Sequence, residues 1–222
     1  MACSRQLDLV IRSWGGRRRG AGRKPTPGRR RMPHRRRALH DPHCPVHVTL
    51  RTTPGLASLR AREVFPHIQR AFGAVSGASF RLLQFSVQSD HLHLLVEADT
   101  PTRLARGMQG LAARTAKAIN RVLHRRGTVW AERYHAHALK TPREVRNVLV
   151  YVLQNFKKHV RGAQGLDPCS SAAWFTGWHT AVERIVGRPL VVKPRTWLAA
   201  VGWRRRGLID INEAPCGTLA RR

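Results

Sequence analysis

The chain has 222 residues, and its 41 Lys and Arg against 12 Asp and Glu give a formal net charge of +29. This length predicts one domain with tails, and so positive a surface predicts a polyanionic partner, above all nucleic acid. A membrane-spanning helix is not expected, because no apolar run reaches about 18 residues. The four cysteines are scattered without a CxxC pair, which argues against a zinc finger or a disulfide framework and fits reduced thiols in a cytoplasm.

Residues 1–42 predict a disordered basic arm. Residues 13–37 contain 11 basic residues and no acidic one, and Gly and Pro interrupt them. Such a segment cannot form a core, and we expect it to lie on DNA phosphates or in a minor groove. The arginines assigned to DNA binding here are Arg17, Arg18, Arg19, Arg23, Arg29, Arg30 and Arg31.

Order is predicted from about Val46 onward. The alternation of VHVTLR (46–51) indicates a half-buried strand, and the apolar spacing of residues 58–75 indicates a helix. Two further strands, at 80–88 and 91–97, are joined by a tight connection at Ser89 and Asp90. The stretch HDPHCPVH (40–47) could also be read as a metal cluster, although its spacing is irregular.

A long helix is predicted to follow, with Thr100 as N-cap, Pro101 in its first turn and Gly127 at its end. Its buried stripe runs from Leu104 to Val122. Basic residues lie off that stripe, either as a solvated face or as a DNA contact; they are Arg103, Arg106, Arg114, Lys117 and Arg121.

A fourth strand is predicted within residues 129–140, and the capping box from Thr141 to Glu144 begins a helix that runs to about residue 160. This order of elements is that of an α+β, ferredoxin-like split βαβ domain with an antiparallel sheet. Two helices should cover one face of the sheet. The other face is left for the last helix or for a second subunit, and we expect a homodimer.

Two His-x-His pairs occur, His91 with His93 and His135 with His137. Residues two apart on a strand share a face, so either pair could hold one metal ion, although about one such pair is expected by chance in so His-rich a chain. On the last predicted helix Tyr151 and Asn155 are four residues apart and share a side. Tyr151 lies at the edge of the apolar face, where an ordinary boundary tyrosine is the alternative interpretation.

Taken together, the fold, His-Leu-His on the third strand and Tyr-x-x-x-Asn on the helix resemble the HUH-class single-tyrosine transposases of the IS200-like group, above all their REP-associated branch. The resemblance covers about residues 43–160. It implies that His91, His93 and Asn155 hold one divalent ion. Mg²⁺ or Mn²⁺ is favoured, and the sequence does not exclude Zn²⁺. It also implies that Tyr151 attacks a phosphate of single-stranded, hairpin-flanked DNA and forms a 5′-phosphotyrosine.

The same resemblance leaves His135 and His137 as structural or DNA-facing residues, and Tyr134 as the one other tyrosine that could be the nucleophile. Residues 161–222 form a Trp- and Arg-rich extension, whose tryptophans either pack on the domain or stack on bases. A non-catalytic nucleic-acid-binding protein on this fold is the alternative function.

Overall fold

The computed structural model describes residues 40–159, 163–182 and 187–215, and every structural statement below refers to them. The arginines of the predicted basic arm lie outside these residues. Within them no helix has the length and apolar character needed to cross a membrane.

The chain forms one four-stranded antiparallel sheet in the order β2-β3-β1-β4, with helices on both faces. The strands are β1 (Val46–Arg51), β2 (Phe80–Val87), β3 (His91–Ala98) and β4 (His135–Ala138). The helices are α1 (Phe65–Gly73), α2 (Pro101–Val122), α3 (Pro142–Gln154), α4 (Phe156–His159) and α5 (Trp197–Ala200). This is the predicted α+β order, and the fold class is confirmed.

The alternation of side chains along β3 divides the core into two layers. Leu92, Leu94 and Val96 belong to the apolar cluster that also contains the buried stripe of α2. Leu95 points to the opposite face and packs with the buried side of α3. The helix α3 therefore covers the face that α1 and α2 leave open. The open sheet face was the reason to expect a homodimer, and because α3 occupies it, the homodimer stays a prediction without structural support.

The capping box at the start of α3 forms as predicted. The Thr141 hydroxyl accepts from the Glu144 amide, and the Glu144 carboxylate accepts from the amides of Lys140 and Thr141. These bonds satisfy amides that have no partner inside the helix and fix where α3 leaves the sheet.

The bounds of α1 and α2 differ from the sequence expectation. α1 begins at Phe65 instead of residue 58, because Pro66 suits only a first turn and residues 58–64 bond elsewhere: the Leu59 amide donates to the Ser89 carbonyl and Arg60 to that of Val87. α2 ends at Val122, before Gly127, because His124 adopts a left-handed φ of 48° that stops the helix.

The helix that the sequence predicts from the Thr141 capping box to about residue 160 is interrupted in the structure. α3 ends at Gln154, Asn155 forms a turn, and α4 follows at Phe156. Beyond it, Trp178 and Trp203 are buried against α3, so these two tryptophans pack on the domain. Trp197 differs, because 49% of its surface is exposed.

Candidate active site

The imidazoles of His91 and His93 meet on the face of the sheet that carries α3. Both side chains leave β3 on the same side, and their Nε2 atoms are 2.9 Å apart. Adjacent ligands of an octahedral ion with bonds of about 2.1 Å lie about 3 Å apart, so the two nitrogens are spaced as two ligands of one ion are. His93 is buried and His91 is half-buried.

The second nitrogen of each ring is held by a neighbour. His91 Nδ1 lies 2.6 Å from a carboxylate oxygen of Asp90, and His93 Nδ1 lies 3.3 Å from the Thr49 hydroxyl. The hydrogen bond with His91, aided by the charge of Arg51, lowers the pKa of the Asp90 carboxyl. A carboxylate or hydroxyl on the far nitrogen orients a histidine with its Nε2 toward a metal, which is the arrangement found around metal-binding histidines.

Asn155 is the third ligand that the family resemblance implies, and the surroundings of its side chain test whether it could bind an ion. Its side chain is 1% exposed, and neither Oδ1 nor Nδ2 has a hydrogen-bond partner among the described residues. A buried amide without partners is costly, and an ion beside its oxygen would remove the part of that cost that belongs to Oδ1. No cluster of three His, Cys, Asp or Glu residues forms in the described ranges, so a third protein ligand at the histidine pair would have to be of another type, such as an amide. The residues fit a divalent ion.

Tyr151 contacts His93, the buried member of the histidine pair. Its ring centroid lies 4.9 Å from that of His93 and 5.8 Å from that of His47, both in edge-on contact. The Lys158 ammonium lies 4.6 Å from the centroid of the same ring. Partial burial raises the pKa of the Tyr151 phenol, so a cation beside the ring has a charge to stabilise when the phenolate forms.

Tyr134 occupies a different place. It lies just before β4 and packs against the cluster beneath α1 and α2, on the other side of the sheet from the histidine pair. Of the two tyrosines, Tyr151 is therefore the one that the fold places in contact with His93.

His47 lies beside His93 and Tyr151, a place that the sequence did not predict for it, since its only expected role was in the alternative metal cluster of residues 40–47. Its ring stacks on His93 with centroids 5.4 Å apart. Burial, with a smaller effect of His137, lowers its pKa to about 4, so the ring is neutral at neutral pH. A neutral ring here fills space beside Tyr151 without adding a charge.

The metal cluster proposed for residues 40–47 does not assemble. The His40 ring bonds to the Ala98 carbonyl, the Cys44 thiol bonds to Asp41, and His47 turns to His93.

The second histidine pair lies on β4. His135 and His137 stand opposite Thr49 and His47 on β1, so they share the face of the His91–His93 pair, but both are exposed. Their side chains point to solvent beside the site, and the prediction that they face DNA stays untested.

The basic face of α2 is exposed as predicted but is not brought to the site. α2 packs on the sheet face opposite α3, so its cations point away from Tyr151. The residues concerned are Arg103, Arg106, Arg114, Lys117 and Arg121. Arg114 also donates to the carbonyl of Ala74.

Sequence reasoning missed Thr49, Asp90 and Lys158. Asp90 is the residue directly before His91, and Lys158 follows Tyr151 by seven residues, which is two turns of a helix. Both spacings could have indicated that these side chains lie near the site. Thr49 could not be found in this way, because its place beside His93 depends on the register of β1 against β3.

Comparison with known proteins gives one family and several similar structures. The sequence profile of the family described as "Transposase IS200 like" matches residues 43–155, about half of the chain. No curated protein matches the chain. A solved REP-associated tyrosine transposase bound to a REP hairpin is similar in structure, with a TM-score of 0.51 and 16% identity over 63% of this chain and 82% of that one.

Two further structures are more distant. A Deinococcus radiodurans R1 protein assigned as a transposase has a TM-score of 0.37 and 19% identity, covering 49% of this chain and 87% of that one. A bacterial tRNA(His) guanylyltransferase-like protein in complex with GTP has a TM-score of 0.40 and 12% identity, over 52% and 63%. At 16% identity the likeness to the REP-associated transposase concerns the fold alone.

Proposed function

Because the chain belongs to the IS200-like transposase family, we propose that it cleaves and rejoins single-stranded DNA through a covalent bond to Tyr151. The observation that carries this proposal is the contact between the Tyr151 and His93 rings, whose centroids are 4.9 Å apart. Through this contact the proposed nucleophile lies beside the His91–His93 pair at a half-buried site.

Three side chains are proposed to hold one Mg²⁺ or Mn²⁺: the Nε2 atoms of His91 and His93 and the amide oxygen of Asn155. The paired nitrogens and the unpartnered amide support this assignment. When bound, such an ion neutralises charge on the scissile phosphate and orients it. Asp90 and Thr49 keep the imidazoles turned toward it.

Tyr151 acts as the nucleophile. Its Oη bonds to the phosphorus while the bond from phosphorus to the 3′-oxygen breaks, which leaves a 5′-phosphotyrosine. The phenol gives its proton to solvent, and the departing 3′-oxygen takes one up. The new ester retains the energy of the old one, so a 3′-hydroxyl from another strand can reverse the reaction and complete the joining without ATP.

Lys158 and His47 complete the surroundings of the nucleophile in this proposal. The Lys158 ammonium beside the ring would bind an oxygen of the phosphate that Tyr151 attacks, where negative charge grows in the transition state. His47, neutral and stacked on His93, limits the orientations open to the Tyr151 ring.

The proposed DNA partner is a single strand next to a hairpin. The similar solved transposase is bound to a REP hairpin, and a chain with a net charge of +29 is suited to a polyanion. The basic arm and the exposed face of α2 are proposed to contact phosphates.

The covalent bond gives the test. Wild-type protein incubated with hairpin-bearing oligonucleotides and Mg²⁺ or Mn²⁺ should give a band on a denaturing gel that carries DNA and resists heat and detergent. Tyr151→Phe should bind the DNA about as tightly and give no such band, whereas Tyr134→Phe should still give it. A band from Tyr151→Phe would identify the wrong tyrosine, and no band from any protein would favour the non-catalytic binding protein.

A further inference from the structure

An exposed aromatic and basic surface lies in the C-terminal part of the chain, beyond the residues that the family profile matches. We propose that it is a second binding surface for single-stranded DNA, in which Trp197 stacks on a base while arginines bind the flanking phosphates. We call it the Trp197 surface; it consists of Trp197, Val201, Arg204, Arg205, Arg206 and Leu208.

The exposed apolar side chains of the described residues are concentrated here. Of the four large hydrophobic side chains that face solvent in the described part of the chain, three belong to this surface: Trp197 at 49%, Val201 at 53% and Leu208 at 38%. These three lie within 12 residues of sequence, instead of being scattered singly as is usual on a surface. A tryptophan with half of its surface exposed, in a segment with other exposed apolar side chains, is typical of a binding surface.

The charge around these side chains selects the ligand. Residues 187–209 contain six Lys and Arg and no Asp or Glu. Arg204, Arg205 and Arg206 are exposed, and none forms an ion pair with a described residue. A second copy of this chain would bring like charge to the surface, whereas a nucleic acid brings one negative charge per nucleotide. Stacking on an indole needs an unpaired base, so the ligand is single-stranded.

The indole is held in place before any ligand arrives. The Arg205 guanidinium lies 5.0 Å from the Trp197 ring centroid. A Cβ at Gly202 would lie 2.7 Å from the same ring, so the glycine lets the indole lie flat against the turn. A ring that is already ordered loses little conformational entropy on binding.

The base of the surface is anchored in the core. The amide and hydroxyl of Thr196 both donate to Glu97, a fully buried carboxylate on β3, and Trp203 is 2% exposed beneath the turn. Glu97 is four residues from His93, the histidine that the Tyr151 ring contacts, which is about 13 Å along a strand. The anchor of the Trp197 surface therefore lies apart from the Tyr151 site, and a strand bound on this surface would be contacted away from the reacting phosphate.

Fluorescence anisotropy with a labelled oligothymidine of about 20 nucleotides tests the proposal. All variants are made in Tyr151→Phe protein, so the result does not depend on cleavage or on the function proposed for Tyr151. Trp197→Ala should weaken binding at least about fivefold, and Trp197→Phe, which keeps an aromatic face, should bind within about twofold of the parent. Binding to a duplex of the same length should change far less.

A second variant removes charge without touching the buried anchor. Arg204→Gln, Arg205→Gln and Arg206→Gln together should make the dependence of log affinity on log salt concentration shallower by about 2, as for lost phosphate contacts. Arg62→Gln, an exposed charge near α1, is the control and should leave single-strand binding as it is. Thermal melting should show both surface variants folded.

Three results would overturn the proposal. One is unchanged affinity for oligothymidine in both Trp197→Ala and the triple arginine variant. Another is an equal loss for single strand and duplex in Trp197→Ala, which would remove the role of stacking. The third is sedimentation that shows a dimer which Trp197→Ala dissociates while DNA affinity stays the same, because the surface would then join subunits.

Discussion

His91 is half-buried at the first position of β3, and its Nε2 lies 2.9 Å from that of His93. His91→Ala should therefore abolish Mn²⁺-dependent cleavage and the binding of Mn²⁺ measured by calorimetry, while DNA affinity stays largely intact because basic residues elsewhere supply it. His135→Ala is the matched control, since it removes a histidine from the other pair on the same sheet face. Mn²⁺ binding by His91→Ala equal to that of wild type would show that the ion is held elsewhere.

Lys158 offers a second single-residue change. Lys158→Met keeps the length of the side chain but removes the charge beside Tyr151, so the rate of adduct formation should fall by about ten- to hundredfold, and Lys158→Arg should recover part of it. Lys140→Met, at an exposed lysine before α3, should react at close to the wild-type rate. Single-turnover rates at saturating DNA separate this effect from weaker binding. Equal losses in the Lys158 and Lys140 variants would mean that only overall charge matters.

The helix α2 contains two glycines three residues apart that meet different surroundings. A Cβ at Gly107 would lie 2.2 Å from the buried Phe80 ring, whereas a Cβ at Gly110 would meet nothing within 4 Å. Gly110→Ala should stabilise the protein by about 0.5–1 kcal/mol through helix propensity, and Gly107→Ala should destabilise it by about 1–3 kcal/mol through overpacking. Urea unfolding measures both. Equal stabilisation by the two changes would show that α2 packs differently against β2.

Much of the fold can be predicted from the local patterns of single strands and helices. The period of two on β3 places His91 and His93 on one face, and the turn of the helix places Tyr151 beside Asn155, with no knowledge of packing. The break of the last helix at Asn155 has no such signal, because neither Pro nor Gly marks it. The contact of Tyr151 with His93 depends on how α3 crosses the sheet, which only the packed core decides.

The short α1 shows how tertiary bonds override a helical pattern. Residues 58–64 have apolar residues at helical spacing, but Arg60 forms a bidentate ion pair with the buried carboxylate of Asp167, more than 100 residues away. No local pattern encodes that pair. It holds the segment at the sheet, where the carbonyl of Val87 also accepts from Arg60.

The net charge of +29 on the whole molecule should make DNA binding strongly dependent on salt, and α2 tests how much of that charge contacts DNA. Its exposed cations lie on the face of the sheet away from Tyr151, so they contribute only if DNA extends around the domain. Arg103→Gln, Arg106→Gln and Lys117→Gln together should make the slope of log affinity against log salt shallower by about 2 to 3, because each lost phosphate contact removes about 0.9 from it. Arg103→Lys with Arg106→Lys keeps the charge and should keep the slope. Filter-binding titrations from about 50 to 200 mM salt with a hairpin oligonucleotide measure both. An unchanged slope in the glutamine variant would mean that the basic face of α2 only keeps the protein in solution and that DNA stays on the side of the sheet that carries Tyr151.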